Sequence, residues 1–152
     1  MRVPGGGFLH PVPLVAVALL VLNDHVLKQR WPSWWTGKLS DVAGLIFFPL
    51  LLQGLWEVLH AARGRPVVPS RRVLVIAVVL TGLGFSAIQV WPVAAEAWRW
   101  GLGALQWPGR ALWRWVHGAG VPGLVPVIHT ADVGDLLALP ALGVALRVGW
   151  RR

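Results

Sequence analysis

A chain of 152 residues that is 56% hydrophobic and 13% charged lacks the polar surface of an ordinary globular domain, in which about a quarter of residues are charged. Its net charge of +8 is scattered between apolar runs rather than gathered on one face, which argues against nucleic acid and for the anionic headgroups of a lipid bilayer as partner. There are no cysteines, so disulfides, thiolate metal sites and cysteine nucleophiles are excluded, and the chemistry left is that of His, Asp, Glu and hydroxyl groups.

Four segments are apolar and long enough to predict membrane spans: residues 11–27, 41–60, 73–91 and 132–150. Spans of about 20 residues each, with their connections, nearly exhaust the length, so a single polytopic domain over residues 1–152 is expected. The first apolar run has the length of a secretory signal core, but Asn23, Asp24 and His25 follow where a small-x-small cleavage site would be needed, which predicts an uncleaved span. Between the second and third spans, Arg63, Arg65, Arg71 and Arg72 mark a cytoplasmic loop under the positive-inside rule. Both termini, with Arg2, Arg147, Arg151 and Arg152, then also lie inside. That gives eight basic residues inside against six outside (Lys28, Arg30, Lys38, Arg99, Arg110 and Arg114). The expected location is the plasma (inner) membrane.

Residues 93–117 read differently. Glu96, Arg99, Gln106, Arg110, Arg114 and His117 recur at close to helical period and fall within a sector of about 80° when each residue advances about 100°. The spacing predicts an amphipathic helix lying in the outer interface with its arginines toward headgroups, kinked at Pro108. The alternative is a fifth span whose arginine stripe faces a pore or a partner. Nine of the eleven tryptophans fall in the outer connections or at the end of a span, where an indole ring is half buried and its N–H finds a partner. In the third span, Gly82 and Ser86 are spaced for close approach of another helix.

One motif occurs twice. The frame Asp-Val-x-x-Leu-x-x-x-Pro-x-Leu pairs Asp41, Val42, Leu45, Pro49 and Leu51 with Asp132, Val133, Leu136, Pro140 and Leu142. Read as a duplication, it suggests a parallel two-span repeat with two Asp-headed, Pro-kinked helices side by side. The plainest role for each Asp is as a helix N-cap.

The acidic residues are few and clustered. Of six, four (Asp24, Asp41, Asp132 and Asp135) fall at the outer ends of three spans, with His25 and His129 beside them. The spacing of His129, Asp132 and Asp135 would place all three on one helical face. Imidazole and carboxylate ligands suit a divalent transition metal, so Asp24, His25, Asp41, His129, Asp132 and Asp135 are the candidate metal ligands, and Asp41, Asp132, Asp135 and His129 the candidate catalytic groups. The same groups could relay protons or bind an ion, or form a salt-bridge network with Lys38 or Arg30. No His-Glu-x-x-His and no glycine-rich phosphate loop is present. Glu57 and His60 are expected to pair with each other or with Arg63, and His10 has no evident partner in its Pro/Gly-rich tail.

The sequence thus predicts an all-α integral membrane protein: a bundle of about four transmembrane helices plus one outer interfacial helix. Its first functional reading is a non-enzymatic structural or ligand-binding component, forming a homo-oligomer or joining a larger membrane complex. The rival is a metal-dependent hydrolase or transferase acting on lipid headgroups. A third is a small oligomeric transporter.

Overall fold

The computed structural model describes residues 5–31, 33–66 and 69–151. Arg2 and Arg152, which entered the charge count across the membrane, lie outside the described residues. The described chain is helical with no strand, and four of its helices are long and apolar enough to cross a membrane: α1 (Pro11–Arg30), α2 (Trp34–Ala62), α3 (Arg71–Val90) and α5 (Val133–Trp150). These coincide with the four expected segments. A further helix, α4 (Pro92–Val116), covers the expected amphipathic stretch. It is not among the four, because Glu96, Arg99, Arg110 and Arg114 interrupt its apolar run.

Local signals explain where each helix begins and ends. His10, whose role the sequence left open, caps α1: its Nδ1 accepts from Val12 N–H at 3.2 Å, with Pro11 in the first turn, where a missing N–H costs nothing. The helix passes through a π-helical turn at Asn23–Leu27 before ending at Arg30. Ser33 starts α2, and its N–H donates to the Thr36 hydroxyl at 3.1 Å. With 29 residues, α2 extends about 44 Å at about 1.5 Å per residue, well beyond a hydrocarbon core of about 30 Å. Its first two turns therefore precede the apolar stretch, which is why hydropathy alone placed its start at Asp41. Two glycines close helices with the same device. Gly64 (φ 68°) follows α2 with Arg65 N–H bonded to His60 O and Gly64 N–H to Ala61 O. Gly118 (φ 69°) follows α4 with Ala119 N–H bonded to Arg114 O and Gly118 N–H to Trp115 O.

The two copies of the repeated motif do not share a conformation. Asp41 lies inside α2, seven residues beyond its first residue, and so is not an N-cap. Asp132 precedes a 3-10 helical segment, Val133–Ala141, that becomes α-helical at Leu142–Trp150, and its Oδ1 accepts from Gly134 N–H at 2.8 Å. Pro49 is buried in a continuous α-helix, whereas Pro140 is exposed within the 3-10 segment. The expectation that His129, Asp132 and Asp135 share one helical face also fails, because residues 119–132 are not helical.

The chain forms two compact units, residues 1–84 with 135–152 and residues 85–134. In the first, Leu50 of α2, Leu74 of α3 and Ala145 of α5 form a buried core, with Val78, Leu146 and Val148 packed against it. Gly82 receives Leu142, since a Cβ there would lie 2.9 Å from its Cδ1, so the small residue in α3 serves a contact with α5 of the same chain. The outward faces of α1, α2 and α3 carry Leu14, Val15, Leu55, Ile76, Leu80 and Leu83, all exposed. Helices that are apolar all round are those that sit in a protein core or in lipid.

The second unit is a helix with a strap. Residues 119–132 run extended along α4, tied by Val127 N–H to Arg99 O (3.0 Å), Arg99 Nε to Val127 O (3.2 Å), Trp107 Nε1 to Pro122 O (2.8 Å) and Arg114 Nε to Gly120 O (3.1 Å). The polar stripe that the sequence turned toward headgroups thus donates to carbonyls of this chain, which have no other ladder to join. Gly103 marks the closest approach: a Cβ there would overlap the Val125 carbonyl oxygen. Gly103→Ala gains up to about 1 kcal/mol of helix propensity but must displace backbone, and overpacking of that kind costs about 1–3 kcal/mol. We therefore expect Gly103→Ala to loosen the strap, seen as faster limited proteolysis within residues 119–132 than in the unaltered protein. Gly101→Ala, where a Cβ meets nothing within 4 Å, is expected not to.

Candidate functional site

The π-helical turn at Asn23–Leu27 sets up the first part of the site. Asn23 is fully buried. Its Nδ2 donates to Thr36 O (2.5 Å) and to Ser40 Oγ (2.6 Å), so one amide ties α1 to two successive turns of α2. Ser40 in turn donates to Asp24 Oδ1 (2.8 Å), and Asp24 pairs with Lys28 at 2.7 Å. π-turns of this sort re-aim a side chain and are frequent at functional sites. Sequence reasoning passed over Asn23 and Ser40 as flanking residues, although a polar Asn at the end of an apolar run was the available signal.

The second part joins α2 to α5. Lys38 forms an ion pair with Asp135, and Asp41 lies close enough for both of their charges to act on its carboxyl. The Lys38 and Asp135 side chains are 10% and 16% exposed, against 42% and 46% for Lys28 and Asp24. That contrast ranks them, because an exposed pair contributes at most about 1 kcal/mol whereas removing one member of a buried pair costs about 3–5 kcal/mol. Lys38 is also positioned over the Trp34 ring, 5.2 Å from its centroid, an additional hold on the ammonium. Within this unit the carboxyl that acts on Asp41 is thus that of Asp135.

The remaining predicted residues are engaged locally. His25 Nδ1 lies 3.0 Å from Val21 O in its own helix. In the second unit, His129 Nε2 lies 3.2 Å from Ile88 O, and Gln89 Oε1 accepts from Asp132 N–H at 3.0 Å. Of the six candidate ligands, Asp24, His25, Asp41 and Asp135 belong to the first unit and His129 and Asp132 to the second. Among the described residues, no group of three or more His, Asp or Glu side chains is arranged to hold a metal ion. An ammonium, that of Lys38, stands beside the two carboxyls that come closest to such a group.

At the opposite end of α2 the expected pairing of Glu57 is not found. Glu57 Oε2 accepts from Gly5 N–H at 3.2 Å, and among the described residues the carboxylate pairs with neither His60 nor Arg63. His60 stacks on Trp56 instead, with centroids 4.2 Å apart. Glu57 and Gln53 are buried one turn apart on α2, and both amide atoms of Gln53 and Glu57 Oε1 are without a protein partner among the described residues.

No protein-family model, curated protein or solved structure matches this chain. The ion pair at the site gives a direct test. Lys38→Met leaves two carboxylates without their buried cation and is expected to cost about 3–5 kcal/mol. Adding Asp135→Leu should recover much of that loss, and Lys28→Met should cost about 0–1 kcal/mol. Thermal unfolding of the detergent-solubilised protein, followed by tryptophan fluorescence, measures all three. Equal effects of Lys38→Met and Lys28→Met would show that burial does not set the strength of these pairs.

Proposed function

We propose that this chain is a small multi-pass integral membrane protein with a non-enzymatic role, a structural or ligand-binding component that assembles with itself or within a larger membrane complex. In this reading the four apolar helices insert, with the arginines of residues 63–72 and both termini on the cytoplasmic side of the plasma membrane. The cluster of Asp24, Lys38, Asp41 and Asp135 then lies at the outer face, and α4 rests in the outer interface with Trp98, Trp100, Trp113 and Trp115 toward lipid. Support for that placement of α4 is the exposure of all four rings, together with that of Leu105 and Leu112.

The observation that carries the functional reading is the buried Lys38–Asp135 pair. A carboxylate committed to an ammonium between two helices holds those helices together and is a poor general base or metal ligand. Asn23, Ser40 and Asp24 fasten α1 to α2 in the same manner. A second reading, a small-cation or proton site, is favoured by Asp41 beside Asp135: two ionised carboxylates and one ammonium would leave one negative charge over, which a bound cation would neutralise.

Metal content separates these readings from the rival enzyme acting on lipid headgroups. The protein purified in mild detergent is expected to hold no stoichiometric transition metal after incubation with Zn, Mn or Fe, and Asp41→Asn should leave that unchanged. Near-stoichiometric metal that is lost in Asp41→Asn and Asp135→Asn would overturn the non-enzymatic reading. A sodium-dependent rise in thermal stability, abolished by Asp41→Asn, would favour the cation site. Orientation is tested on the cysteine-free chain by single cysteines at Arg65 and Arg110, which are expected to label from opposite sides of sealed vesicles.

A further inference from the structure

At the end of the first unit away from the Lys38–Asp135 pair, the last helix carries an open surface hollow of about 390 Å³ lined by Gly143, Leu146, Arg147, Trp150 and Arg151. Its lining divides along the helix. Gly143 and Leu146 form the part nearer the middle of α5, while Arg147 and Arg151, one turn apart, supply two guanidinium groups at the end, with no carboxylate among the five. Trp150, directly before Arg151, is held by Arg71 of α3, whose guanidinium carbon lies 4.8 Å from the ring centroid. A Cβ on Gly143 would meet nothing within 4 Å, so the apolar part is open beside it.

We propose that this surface hollow binds one anionic phospholipid, the phosphate held by Arg147 and Arg151 and the first part of an acyl chain lying against Leu146 and the open flank of Gly143. The charge change within the hollow matches the molecule: guanidinium groups form paired hydrogen bonds to phosphate oxygens, and the apolar part follows within one turn, as the acyl chains follow the phosphate. The Trp150 indole beside the two arginines offers an apolar body and a polar N–H, a combination that suits the headgroup region. Another hollow of this unit contrasts with it. About 240 Å³ between α1 and α2, it is lined by Val12, Val15, Leu19, Leu39 and Val42 among others, and has no charged group to select a headgroup. The proposal rests on the membrane-spanning reading above and adds selectivity to it.

The test uses the full chain in mild detergent and native mass spectrometry with palmitoyl-oleoyl phosphatidylglycerol, palmitoyl-oleoyl phosphatidylcholine or inorganic phosphate added. One phosphatidylglycerol retained per chain, at least about fivefold over phosphatidylcholine, is expected. Arg147→Gln with Arg151→Gln should abolish the preference. Gly143→Leu, which keeps both charges and fills the open flank, should abolish retention without lowering thermal stability. Equal retention of the two lipids, or a preference that survives both variants, would overturn the site. Inorganic phosphate displacing the lipid at millimolar concentration, or binding equally well in Gly143→Leu, would overturn the acyl half and leave a free-phosphate site. A chain that stays monodisperse without detergent and retains neither lipid would instead sink the membrane-spanning reading.

Discussion

A polar group placed among apolar helices is costly unless it finds a partner within the protein, because neither lipid nor apolar side chains supply one. Most of the specific geometry follows from that constraint. Asn23 is buried because Thr36 O and Ser40 Oγ receive its amide hydrogens. Asp135 is tolerated near the start of α5 because Lys38 meets it. Apolar packing supplies the bulk of the contacts, through Leu50, Leu74 and Ala145, but apolar side chains accept many neighbours nearly equally well. The buried amide and the buried ion pair do not, since a shift of one turn would leave each of them unmatched at a cost of several kcal/mol. Packing holds the helices; the polar pairs determine their register.

The same constraint accounts for the strap. An extended segment such as residues 119–132 carries a carbonyl at every residue and has no strand beside it. The arginines and indole of α4 meet that need, with Arg99, Trp107 and Arg114 donating at intervals along its length. Helical periodicity revealed the stripe but not what it faces. A guanidinium group directed at a phosphate and one directed at a peptide carbonyl leave the same pattern in sequence, because both require a donor on one face. Deciding between them needs the path of the chain after Gly118, and turns rich in Gly and Pro specify little about where an extended segment comes to rest.

What was legible follows the same division. The four apolar helices could be read from length and hydropathy because lipid and core both select apolar runs of about 20 residues. The gathering of Asp24, Asp41 and Asp135 toward one end of their helices was legible from their positions beside apolar runs. Their partners were not. The start of α2 at Trp34 rather than Asp41 is set by Ser33 and Thr36, a capping signal hidden by two tryptophans that look interfacial. The repeated Asp-Val frame misled for a related reason: a five-residue identity reports similar composition and spacing, yet Asp132 ends an extended segment while Asp41 is already inside a helix. The two aspartates therefore stand in different backbone conformations despite their matching motif positions.

The π-helical turn joins these points. One extra residue in a helical turn rotates everything that follows it by about 100°. Within Asn23–Leu27, the buried amide of Asn23 and the exposed carboxylate of Asp24, adjacent in sequence, both act on Ser40 of the neighbouring helix. The hydroxyl here accepts from Asn23 and donates to Asp24, so its single proton and a lone pair are both used. Ser40 is consequently the residue through which a buried, register-setting contact and a solvent-facing ion pair with Lys28 are coupled. A group bound at the exposed carboxylate of Asp24 would act on the α1–α2 interface through that one hydroxyl.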